Sequence, residues 1–102
     1  MTGFSVVSVC RDEDARDDVG ELRLLYADPT AWNRGVGSAL LQHAVATLRS
    51  MGFDELRLWT LRDNERARTF YERNGWTADG AEQLTEHPQG SYVEARYRLV
   101  GS

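Results

Sequence analysis

The chain has 102 residues, of which 41% are hydrophobic and 27% charged, and its net charge is −4. That length fits one compact domain over residues 1–102, and the composition excludes a disordered polypeptide. The acidic balance offers no footprint for a nucleic-acid backbone, and no apolar run approaches the ~20 residues of a membrane span.

No positively charged leader precedes an apolar stretch, so the sequence reads as cytoplasmic, with no nucleic-acid or membrane partner. Cys10 is the only cysteine. It permits no internal disulfide, and no metal site is expected. All twelve basic residues are arginine, which excludes lysine self-acetylation within the chain.

Phe4 to Cys10 is a short β-rich run. Arg11 to Asp18 carries five acids and two arginines and reads as a solvated connection. Glu21 to Ala27 alternates, with Leu22, Leu24 and Tyr26 on one face and Glu21, Arg23 and Leu25 on the other. Asp28-Pro29 ends that strand, since proline cannot donate to a ladder.

Helical spacing follows from Val36 to Met51. Val36, Leu40, Ala44, Val45, Leu48 and Met51 form an apolar stripe, and Gly52 is placed to end the helix. Phe53 to Leu61 contains a second alternating strand, with Leu56, Leu58 and Thr60 opposite Arg57, Trp59 and Leu61. Asp63 or Asn64 can cap a second helix that runs to about Asn74 and stops at Gly75. A third strand begins at Trp76, and Tyr92 to Val100 alternates as a closing strand. This order implies an α/β layer with a right-handed crossover.

The sharpest local signal is Arg34-Gly35-Val36-Gly37-Ser38, between a strand end and a helix start. The first amides of a helix lack internal partners, and the helix dipole makes that end positive. Glycines let an anion approach the backbone, and Arg34 adds a guanidinium suited to phosphate. A diphosphate is a physically sensible guest; a tight turn that needs glycine is the plain alternative. The Lys-Ser/Thr pair of a P-loop is absent, so nucleotide hydrolysis is not supported.

The wider stretch from Leu24 to Leu41, Leu-Leu-Tyr-Ala-Asp-Pro-Thr-Ala-Trp-Asn-Arg-Gly-Val-Gly-Ser-Ala-Leu-Leu, resembles the coenzyme A-binding motif of the GCN5-related N-acetyltransferase (GNAT) family. The block from Leu58 to Trp76 resembles that family's next strand and helix, in the same order and at the usual spacing. The resemblance covers about Phe4 to Val100. It implies a partial GNAT fold, a mixed central sheet of about five strands with two main helices, lacking the family's N-terminal strand and helices. It also implies acetyl-CoA as cofactor and transfer of its acetyl group to a primary amine of a small molecule or peptide. A non-catalytic acyl-CoA-binding module, or a partner subunit, is the alternative.

The resemblance implies roles for particular residues. The backbone of Leu25, Tyr26 and Ala27 would pair with the pantetheine arm. The amides of Asn33, Arg34, Gly35, Val36, Gly37 and Ser38 would hold the pyrophosphate. Asn64, with Ala67 on the same helix face, would reach the pantetheine, and Tyr71 would sit near the thioester sulfur. Asn64, Ala67, Arg68 and Tyr71 do share one face at i, i+3, i+4 and i+7. For Asn64 a plain helix cap is the alternative, and for Tyr71 a core aromatic beside Phe70. Trp32 stands where the motif usually has glutamine or arginine.

The implied chemistry is direct attack by the amine, with no covalent enzyme intermediate. Glu21 lies on the strand where histone-acetylating relatives carry their glutamate, and is the candidate base; a solvated glutamate paired with Arg23 is the alternative. Tyr71, neutral at pH 7, can protonate the departing thiolate. His43 and His87 receive no role. Loss of the family's first helices would expose an apolar sheet face, so a homodimer is expected.

Overall fold

The computed structural model describes residues 3–16, 18–27 and 35–100. It contains β1 (Gly3–Val9), β2 (Val19–Ala27), α1 (Val36–Ser50), β3 (Glu55–Leu61), α2 (Glu65–Arg73), β4 (Thr77–His87) and β5 (Gly90–Val100). The strands form a mixed five-stranded sheet in the order β1-β2-β3-β5-β4. The α/β reading and the number of strands and helices therefore match the sequence expectation. No helix among the described residues is long and apolar enough to cross a membrane. The chain clusters into two compact units, Met1–Leu56 with Val100–Ser102, and Arg57–Leu99.

In the first unit β1 and β2 are antiparallel, and α1 packs on both. Val6 pairs with Leu24 while its neighbour Val7 pairs with Leu22. One extra residue, Arg23, is thus accommodated in β2 as a bulge. The bulge corrects the expected alternation. Leu25, paired with Ser5, shares the face of Leu22, paired with Val7, where a regular strand would put them on opposite faces.

The apolar stripe of α1 also differs from expectation. Its buried residues are Gly37, Leu41, Ala44 and Leu48, whereas Leu40 is half-buried and Met51 is exposed. Ala44 and Leu48 keep their expected places, while Gly37 and Leu41 replace Val36 and Leu40 at the N-terminal end of the stripe. Gly20 on β2 marks the tightest contact, since an added Cβ there would come within 2.8 Å of the Phe53 ring and 2.9 Å of Leu48 Cδ2.

Helix α1 ends as expected at Gly52, whose φ is 98°. The Gly52 amide donates to the Arg49 carbonyl and the Phe53 amide to the Leu48 carbonyl. This is the Schellman arrangement, which satisfies two orphan carbonyls and needs a left-handed residue.

In the second unit β4 and β5 form one long antiparallel hairpin that turns through Pro88-Gln89, with His87 paired to Gly90. The backbone of His87 closes β4. Between Ala78 and Glu82 the register slips, leaving Asp79, Gly80 and Ala81 opposite Arg96. Arg96 Nε donates to Asp79 Oδ2 at 2.6 Å, the Asp79 Oδ1 accepts from the Ala81 amide, and Gly80 supplies a φ of 88°. A nearly buried ion pair thereby clamps the wide bulge, and the Arg96 guanidinium lies over the Trp59 ring. On β5 the predicted alternation holds: Ala95 and Tyr97 are buried and Arg98 is exposed.

Candidate functional site

The candidate residues fall into two groups, one in each unit. In the first unit the decisive feature is the start of α1. Gly35 is its N-cap at φ 78°, ψ 7°, a left-handed conformation that costs other residues roughly 1–2 kcal/mol. No side chain caps this end and no acid lies in the first turn. The first internal bond runs from the Ala39 amide to the Gly35 carbonyl. The amides of Val36, Gly37 and Ser38 consequently have no acceptor within the helix. Among the described residues no acid compensates the dipole at this end, and none lies within 4 Å of the place of a Gly35 Cβ. Such an end suits an anion. Leu25 to Ala27 form the last three residues of β2. Asn33 and Arg34, with Trp32, lie outside the described residues.

Glu21 is half-buried on β2, paired across the ladder with Ser8. Its carboxylate, that of Asp12 and the Cys10 thiol have ligand atoms within 4.8 Å of one another. Sequence spacing hid this grouping, because the antiparallel pairing of β1 and β2 creates it. Burial pushes the Cys10 thiol from 9.0 up to about 11. At neutral pH the sulfur is therefore protonated and a poor nucleophile.

In the second unit Asn64 caps α2, its Oδ1 accepting from the Ala67 amide at 3.1 Å. The expected cap is thus present, at Asn64 and not Asp63. Because an amide donor can bond only to the carbonyl oxygen, the Asn64 Nδ2 is left free to donate elsewhere. Asn64 also lines an open depression of about 540 Å³ with Leu61, Asp63 and Tyr92.

Ala67, Arg68 and Tyr71 are half-buried on one face of α2, as their spacing predicts. The Tyr71 ring sits edge-on to Phe70 at 5.3 Å and to Trp76 at 6.3 Å, and lies 6.2 Å from the Tyr97 ring. Burial pushes its phenol above the usual tyrosine range. The phenol therefore keeps its proton at neutral pH and is present there as a donor.

Sequence reasoning missed Tyr97. It is fully buried, accepts from Arg68 Nε at 2.9 Å and donates to Glu72 Oε2 at 2.6 Å. The only sequence signal was its place on the inward face of the closing strand.

A family model described as the acetyltransferase (GNAT) family matches residues 2–76. The chain belongs to the GNAT family. Among GNAT relatives, a mycothiol acetyltransferase of Beutenbergia cavernae is 43% identical over 58 residues, which is 57% of this chain and 20% of the relative. A mycothiol acetyltransferase of Thermobispora bispora is 34% identical over 83 residues, 78% of this chain and 28% of the relative. Of solved structures, Ard1 from Thermoplasma volcanium superposes with a TM-score of 0.78 at 26% identity, covering 99% of this chain and 64% of that one. The ribosomal-protein-S18-alanine N-acetyltransferase of Escherichia coli, at 24% identity, shares the fold with a TM-score of 0.75 over 98% of this chain and 61% of its own. The chain therefore spans 20–28% of these mycothiol acetyltransferases and a little under two thirds of these solved structures.

Proposed function

We propose that the chain is a single shortened N-acetyltransferase domain that binds acetyl-CoA and transfers its acetyl group to a primary amine of a small molecule or peptide. The observation that carries this reading is the uncapped, glycine-led start of α1, with no acid in its first turn. Main-chain donors from Asn33 to Ser38 hold the pyrophosphate, and the backbone of Leu25, Tyr26 and Ala27 engages the pantetheine. Asn64 Nδ2 and the Ala67 face serve the same arm. With acetyl-CoA as donor, the reaction takes place in the cytoplasm.

The acceptor attacks the thioester carbonyl directly. A free amine with a pKa near 10.4 costs roughly 4–5 kcal/mol to deprotonate at pH 7, which gives a base its purpose. Glu21 takes that role, beside Asp12, and Tyr71 protonates the coenzyme A thiolate. The raised Cys10 thiol is consistent with the absence of an acyl-cysteine step. Titration calorimetry with acetyl-CoA, followed by thiol release with a panel of amines, tests the reading. Tyr71→Phe should lower turnover by about 10²-fold or more while binding persists. Acetyl-CoA that fails to bind ends the proposal.

A second reading is a non-catalytic acyl-CoA-binding module. Tight binding without turnover of any amine would select it. We further infer a homodimer, supported by the exposed Phe4, Val6 and Val9 on β1, which ends the strand order. Sedimentation showing a stable monomer at micromolar concentration opposes it.

A further inference from the structure

We propose that Tyr97 is a positioning residue for Tyr71, its hydroxyl tying down the turn of α2 that carries the acid. The proposal rests on the reading of Tyr71 given above and concerns how its phenol is held. Helix α2 has nine residues and buries no side chain completely. A helix that short does not persist in water on its own propensity, so something other than a buried stripe must fix it.

The tie is a chain of side-chain hydrogen bonds. Tyr97 is 0% exposed on β5, and its oxygen acts once as acceptor, from Arg68 Nε, and once as donor, to Glu72 Oε2. These partners lie three residues before and one after Tyr71. Arg68 also donates through Nη1 to the Arg62 carbonyl at 2.9 Å, anchoring the segment that leads into the helix. Hydrogen bonds to charged partners are the stronger class, and a buried hydroxyl stripped of them would be costly. Arg68 and Glu72 are spaced i, i+4 with the cation first, the less favourable order for a helix by itself. Their placement is explained by Tyr97 between them.

The Tyr97 ring also forms one wall beside Tyr71, 6.2 Å away. Tyr97→Phe keeps that wall and removes only the tie. The turn is then free to shift, and misplacement by about an ångström is enough to lower a rate substantially.

The test uses the full chain with acetyl-CoA and the amine panel, alongside amide hydrogen exchange. Tyr97→Phe is expected to lower kcat about tenfold or more with KM for acetyl-CoA held within about twofold, and to speed exchange of the 68–72 amides about tenfold. Glu72→Gln, which keeps an acceptor, should retain most of kcat where Glu72→Ala does not. Wild-type kcat in Tyr97→Phe, together with a large loss in Tyr71→Phe, overturns the proposal and leaves the acid intact. If neither substitution changes turnover, or if the chain turns over no amine, the reading of Tyr71 falls, and exchange alone judges the tie. Unchanged protection at 68–72 then overturns it, and accelerated exchange sustains it.

Discussion

The two helices stop alike and are held differently. Each ends in the same Schellman arrangement: Gly52 and Phe53 close α1, and Gly75 and Trp76 close α2, with the Trp76 amide donating to the Tyr71 carbonyl. Each has an aromatic residue just past the glycine. Yet α1 has fifteen residues and four buried ones, whereas α2 has nine and none. The starts differ in the opposite sense. Helix α2 has a side-chain cap and an acid, Glu65, in its first turn; α1 has neither. The long helix, secured by burial, can leave its amide end uncompensated for a ligand. The short helix spends its polar groups on holding itself in place.

Deleting the anchor of α1 should break the comparison most visibly. Leu48 is 0% exposed and shares the Gly20 contact with Phe53. Leu48→Ala is expected to cost about 2–5 kcal/mol in chemical denaturation. Tyr97→Phe, on the side held by hydrogen bonds, should cost less in global stability and more in kcat.

A second, smaller effect belongs to the unit that contains α1. Cys10 is 8% exposed, and its thiol rises from 9.0 to about 11 in the fold. Above pH 9 the unfolded chain releases this proton while the folded one keeps it. The folded state then binds more protons, so stability falls with rising pH, at up to about 1.4 kcal/mol per unit between pH 9 and 11. Below pH 9 the group is neutral in both states and contributes no slope. Denaturation of Cys10→Ala across this window should show a shallower decline, and an unchanged slope would remove Cys10 as its source.

Much of this is legible in the sequence. Gly35, Gly52 and Gly75 were readable as helix boundaries because each supplies a left-handed φ that other residues resist. The motifs around Gly35 and Asn64 carried the family. Four things were not legible. The bulge at Arg23 hid behind a clean alternation, because a period of two carries no mark of an inserted residue. The Cys10, Asp12 and Glu21 grouping depends on strand pairing across a loop. The clamp of Asp79 by Arg96 and the tie of Tyr97 to α2 join residues 17 to 29 positions apart, and no local pattern announces them.

The start of α1 offers a next test, at about 1–2 kcal/mol. Gly35→Ala meets no described residue within 4 Å, and its cost is expected from backbone strain. Asparagine tolerates that conformation better, and Gly35→Asn should recover part of the loss. Acetyl-CoA affinity should follow the same order, read by calorimetry, since both depend on the amides keeping their aim.

The smallest effect separates two duties at the start of α2. Asn64 Oδ1 is committed to the Ala67 amide, and Nδ2 is the atom proposed to reach pantetheine. Asn64→Ala removes both and should cost about 1 kcal/mol of stability together with affinity for acetyl-CoA. Asn64→Asp keeps an acceptor for the cap, and its charge suits a helix N-terminus, so stability should change by only a few tenths of a kcal/mol. It has no donor to offer a ligand, and affinity should fall roughly tenfold, the worth of one hydrogen bond. Full affinity in Asn64→Asp would mean that Asn64 acts on the helix alone. The uncapped start of α1 would then carry the cofactor without help from the side chain that opens α2.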